Sequence, residues 1–157
     1  TTDAELKAKI LALLDENRVM SLATVRPDGW PQVTMVGYIH HDLTLYFAIA
    51  RASQKFANIE RDPRVSIAVG HDTRHRLRGL SMAARVSPVA DFDEIERLNV
   101  LIRTRYPQQM VFAPREASSV LLRAAAEIIS VIDLKKGPGQ PEHVWVNADS
   151  AVQRMNE

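Results

Sequence analysis

The chain contains no cysteine, which excludes disulfides, thiolate metal sites and a cysteine nucleophile. Aromatic residues are scarce: two Trp, three Tyr and four Phe. Stacking recognition of nucleic acid needs exposed aromatics interleaved with a basic groove. A formal net charge of +1 supplies no bulk attraction either, so nucleic acid is not an expected partner. No apolar run approaches the roughly 18 residues of a membrane span, and no secretory signal opens the chain; the expectation is a cytoplasmic protein without membrane contact. Repeats and low-complexity tracts are absent. Gly137-Pro138-Gly139 is not a phosphate-cradling loop, because proline removes the donors such a loop needs. What is present is an ordinary globular balance, 46% hydrophobic and 25% charged over 157 residues, enough for one domain with its own core.

Asp3 to Glu16 reads as an amphipathic helix with Leu6, Ile10, Leu13 and Leu14 on one face. Val19 to Val25 is an apolar strand, Arg26-Pro27-Asp28-Gly29 a turn, and Pro31 to His40 the returning strand. His40-His41-Asp42 is expected to turn at the surface into a strand ending near Ala50. Arg64 to Gly70 and about Arg76 to Val89 supply two more strands. Asp91 with Glu94 then opens a helix carrying Ile95, Leu98, Ile102 and Tyr106, which Pro107 ends. Pro107 to Ser118 is expected to be a loop with a helical turn, and Val120 to Ala124 and Ile128 to Leu134 two late strands. Lys135 to Glu142 reads as a loop. Six or seven antiparallel strands with short helices imply a mostly β protein, with an N-terminal helix and peripheral helices, closed into a small barrel that leaves no edges. Residues 1–137 would form that barrel and 138–157 a tail, in which Val144-Trp145-Val146 packs as an added strand or covers a ligand.

The stretch from Leu43 to Val69 carries the chemistry. Ser53 stands where a helix N-cap belongs, Gln54 and Lys55 fill the first turn, and Phe56 and Ile59 form the apolar side. The residue before Pro63 is pushed out of the α region, so the helix stops at Arg61-Asp62. A helix start with open N–H groups, a hydroxyl and an ammonium can hold a phosphate. Ordinary capping with a solvated lysine explains the same residues, and the motif alone does not choose between the two.

The order and spacing of the surrounding segments add weight to the first. Ser21-Leu22-Ala23-Thr24-Val25, Asp28-Gly29, Pro31-Gln32-Val33, Leu45-Tyr46-Phe47-Ala48, Ala52-Ser53-Gln54-Lys55 and Arg61-Asp62-Pro63-Arg64-Val65 together resemble the flavin-binding split-barrel proteins related to pyridoxamine 5′-phosphate oxidase. Gly79 to Val86 and Ile128 to Asp133 are similar to later strands of that family. The resemblance covers roughly residues 4 to 137. It implies an antiparallel split β-barrel, a homodimer, and FMN at the dimer interface. The family's Ser-Arg-Lys phosphate segment corresponds to Ser53-Gln54-Lys55, with glutamine in place of the forked arginine. Ala48, Ile49 and Ala50 correspond to the strand end that lines the flavin, and Thr34, Met35 and Val36 to a strand whose backbone faces the ring edge. Val33 and Tyr38 stand where the true oxidases carry an Arg and a Lys, and no Arg-Leu-His-Asp-Arg segment follows Leu134. Vitamin B6 oxidation is therefore not the expected activity; an FMN-dependent oxidoreductase acting on another small molecule is.

Other candidates are weaker. In the basic run His71 to Arg78, Arg76 or, more strongly, Arg78 either reaches a flavin or substrate phosphate across the dimer or sits on a solvated hairpin. His71 with His75, and His40 with His41, lack the geometry and the third ligand of a metal site. No nucleophile-elbow pattern surrounds a serine. Two further readings of the same fold stand beside the first: a deazaflavin-dependent reductase, and a non-catalytic haem- or flavin-binding stress protein, the haem form needing one of the five histidines as axial ligand.

Overall fold

A computed structural model describes residues 2–73, 76–105, 118–133 and 141–155. Helix α1 (Asp3–Glu16) begins at a capping box: Thr2 Oγ1 accepts from the Glu5 N–H, and the Thr2 N–H donates to Glu5 Oε2, both at 3.1 Å. Leu6, Ile10, Leu13 and Leu14 are fully buried, as the spacing requires, while Leu11 packs partly buried beside them. Strands β1 (Val19–Val25) and β2 (Pro31–Gly37) pair antiparallel from Val19↔Gly37 to Val25↔Pro31. Gly29, with φ +84°, makes the turn between them, and Asp28 Oδ1 accepts from the Trp30 N–H.

The expected strand from Pro31 to His40 is two strands. It breaks at Tyr38, and β3 (Ile39–His41) leaves β2's path to pair with β4 (Thr44–Ala50). Tyr38 is buried and donates its hydroxyl to the Leu14 carbonyl at 2.8 Å, which anchors the break to α1. The turn is at Asp42, φ 51°, and His40 is not at the surface. It is 2% exposed, with Nε2 2.6 Å from Asp15 Oδ1 and Nδ1 2.9 Å from the Asp42 carbonyl.

Helix α2 (Gln54–Arg61) is followed by the long hairpin of β5 (Arg64–Thr73) and β6 (Arg76–Pro88), then by α3 (Phe92–Arg105). The two late strands are one, β7 (Ser119–Asp133). A bulge at Glu127 lets Ala84 pair with Ala126 but Ala83 with Ile128, so the inward side changes parity midway. Beyond it, β8 (Glu142–Val146) and β9 (Val152–Arg154) extend the sheet, and Val144 enters the core. The Val144–Val146 segment thus docks as an added strand. The expected loop at 107–118 (all but Ser118) and the boundary at 137 lie outside the described residues, as do Tyr106, Pro107 and His75.

The sheet order is β2-β1-β5-β6-β7-β4-β3, all antiparallel, with β8 on the second half of β7. Because β2 and β3 are consecutive, the two ends of this sheet are joined by the chain itself, and β2 also lies against β4. The result is a mostly β barrel, filled by α1 and α2 and by inward residues of every strand of the main sheet except β3. A second, smaller cluster forms outside, where Ile95, Leu98 and Ile102 of α3 cover Ile39, Tyr46 and Leu121. No described helix is long and apolar enough to cross a membrane.

Candidate functional site

The barrel is split. β3 pairs with β4 only over Thr44–Tyr46, so the outer edge of β4 from Phe47 to Ala50 has no strand partner among the described residues. The facing edge of β2 is equally free, since β2 pairs only with β1. Free edge N–H and C=O groups are ready to bind. Thr34 Oγ1, on β2, is a buried hydroxyl with no hydrogen-bond partner among the described residues. Thr34, Met35 and Val36 thus lie on one free edge, and Ala48, Ile49 and Ala50 on the other. Val36 and Ile49 turn their side chains into the core, so only their backbones are available.

Helix α2 spans this region. Ser53 is its N-cap: the hydroxyl accepts from the Phe56 N–H at 3.2 Å and donates to the Ala50 carbonyl at 2.7 Å. The Ser53 hydroxyl's one donor is therefore used, and the open donors of the first turn are the N–H groups of Gln54 and Lys55. Lys55 is half-buried and makes no ion pair among the described residues. Arg51, two residues before the cap, lies 5.8 Å from the Phe56 ring centroid, adding a second cation.

Sequence reasoning missed what orients this helix. Asn58 is completely buried; its amide donates to Thr24 Oγ1 at 3.0 Å and Gln32 Oε1 at 3.1 Å, and its carbonyl accepts from Gln54 Nε2 at 2.9 Å. The only signal was an asparagine inside the apolar stripe of Phe56 and Ile59. At the other end, Arg61 donates to the Val25 and Arg26 carbonyls at 2.8 and 2.7 Å.

Arg78 is not part of this cluster within one protomer. It pairs with Asp133 at one end of β7, whereas Ala50 pairs with Ser119 at the other. At about 3.3 Å per residue the two ends are more than about 40 Å apart along the strand. Arg78 Nη1 instead grips Glu16 at 2.5 and 2.6 Å, while its Nε is buried without a partner among the described residues.

The outward face of the sheet bears rows of small residues. Met35, Ser21, Ala68, Ser81 and Ser130 align in one register row, and Val33, Ala23, Ser66, Ala83 and Ile128 in the next. Met35 is 78% exposed, Val33 63% and Trp30 70%. Among the described residues no group of three metal-ligating side chains converges.

A mostly β split barrel with a helix start beside its open side is the class of fold that these elements define. Residues 6–133 match the family described as "Pyridoxamine 5'-phosphate oxidase", and the chain belongs to that family. It is 37% identical over 68 residues to General stress protein 26 of Bacillus subtilis (strain 168), a match covering 43% of this chain. The chain spans about half (48%) of that relative's length. A crystal structure of a pyridoxamine 5′-phosphate oxidase candidate from Listeria innocua superimposes with TM-score 0.66 at 26% identity, covering 81% of this chain and 98% of that one. An FAD-binding protein from Mesorhizobium loti superimposes with TM-score 0.63 at 21% identity, covering 80% and 93%.

Proposed function

We propose that this chain is an FMN-binding flavoprotein, an oxidoreductase acting on a small molecule as a homodimer with flavin at the interface. The observation that carries the reading is the split itself: two strand edges free, and a lysine without an ion pair, among the described residues, with two open helix N–H groups beside them. Lys55 and the N–H groups of Gln54 and Lys55 would hold the phosphate, and Ser53 keeps that turn in shape. The β2 backbone from Thr34 to Val36, with the unpartnered Thr34 hydroxyl, would hydrogen-bond the polar edge of the ring. The β4 backbone from Ala48 to Ala50 would line the other side. FMN, once bound, supplies the hydride and electron chemistry, and the chain's own residues bind it, orient it and control access.

Three features support the dimer and the departure from vitamin B6 oxidation. The small-residue rows beside exposed Met35 and Val33 fit a second copy of the same surface. Arg78, remote from α2 in its own protomer, would approach the site only from the partner. Val33 points outward and Tyr38 is spent on the Leu14 carbonyl, so no cation stands on β2 for a pyridoxamine phosphate. The haem alternative meets an obstacle in His40, the one buried histidine among the described residues. Both of its ring nitrogens are already hydrogen-bonded.

The test is the absorption spectrum after incubation with FMN and desalting, beside Lys55→Ala. Retained flavin in the wild type and at least about 10-fold weaker retention in the variant is the expected result, the size of one charge-assisted phosphate contact. A colourless wild type overturns the FMN assignment.

A further inference from the structure

Helix α3 leaves a cleft whose lining shares no residue with the proposed flavin site. Beside the contact of α3 with the outer face of β4, the helix flank and the β3–β4 hairpin enclose a cavity of about 360 Å³. That volume falls within the range of small-ligand sites. Tyr46, Leu98 and Leu101 form an apolar floor; His41, Arg97 and Arg105 stand around it. The wall's one acid, Glu94, is already neutralised: Arg123 donates to its two oxygens at 3.1 and 2.5 Å. Arg97 and Arg105, two turns apart on one side of the helix, have no carboxylate partner among the described residues. The local field is therefore positive over an apolar base.

We propose that this cleft binds a small carboxylate with an apolar, aromatic or branched body, the body resting on Tyr46, Leu98 and Leu101 and the carboxylate meeting Arg97 or Arg105. A guanidinium is the side chain suited to a carboxylate, because its donors match the two oxygens. Tyr46 adds a third donor. Its hydroxyl lies 3.5 Å from Glu94 Oε1, long enough for a bound carboxylate to compete, and burial with the nearby Glu94 charge pushes the phenol above its usual value so that the proton stays on.

Isothermal titration of the whole chain, with and without FMN, using naphthoate and its neutral analogue naphthamide, tests this. Naphthoate is expected to bind in both preparations, and naphthamide about 10-fold more weakly, the value of one charge-assisted pairing. The Arg97→Gln/Arg105→Gln double variant, altered only on the exposed helix flank, should lose a similar factor, and Leu101→Trp should block the cleft. Equal affinity for acid and amide, unchanged affinity in the double variant, or no naphthoate binding up to millimolar concentration would each overturn the site. None of these outcomes bears on flavin retention, so the two readings fail separately.

Discussion

At the scale of single residues, Asn58 shows how a polar side chain organises an apolar region. Every hydrogen-bonding group of its amide is used, and its partners belong to α2, β1 and β2. Asn58→Leu would keep the volume but leave Thr24, Gln32 and Gln54 without partners; about 3 kcal/mol of stability should be lost in urea denaturation. Asp62 makes a different kind of statement. The Arg64 side chain, and then the Arg64 N–H, hold its carboxyl at about 2, below the ordinary 3.8. A folded value below the unfolded one stabilises the protein fully above about pH 4, and this support is lost as pH falls toward 2. Melting temperature followed from pH 5 to 2 should therefore fall more steeply in the wild type than in Asp62→Asn. Neither residue's role was readable beforehand: Asp62 was legible as a helix stop, and Asn58 carried no local signal of its three partners.

At the scale of elements, the clearest constraint is the facing pair Gly70↔Gly79 in the β5–β6 hairpin. A Cβ on Gly79 would stand 2.7 Å from the Val69 carbonyl oxygen, and one on Gly70 2.8 Å from that of Arg78. Since backbone cannot yield as a side chain does, Gly79→Ala should cost about 1–3 kcal/mol, read by chemical denaturation. Helix α1 and strand β1 were legible to the residue, because a four-residue apolar face and a compact apolar strand are local signals. β7 was not. Its middle, Ala124-Ala125-Ala126-Glu127, has low strand propensity, and the bulge breaks the two-residue period, so one strand reads as two. The break at Tyr38 was hidden for the opposite reason: the sequence stays strand-like across it while hydrogen bonding passes from β1 to β4.

At the scale of the whole molecule, the small-residue rows of the outer face set the expectation for assembly. Ala68 lies mid-row on that face, exposed, between Ser21 and Ser81. Ala68→Arg would place an unpaired charge in an interface between two copies. Light scattering should then report half the wild-type mass, with flavin retention falling alongside it. A wild type already monomeric while retaining FMN would remove the interface from the cofactor site.

The amino-acid sequence by itself determined where helices begin, where turns fall and which strand faces are apolar, because these follow from side-chain shape and hydrogen bonding within a few residues. The family resemblance was legible through the order of such segments, and with it the two strands and the helix start that border the split. Only the tertiary structure decided which edges stay unpaired, that His40 turns inward to Asp15, that Asn58 joins α2 to the sheet, and that Arg78 sits at the far end of β7 from Lys55. Each of these depends on contacts between residues distant in the chain, whose geometry exists only once the barrel has closed.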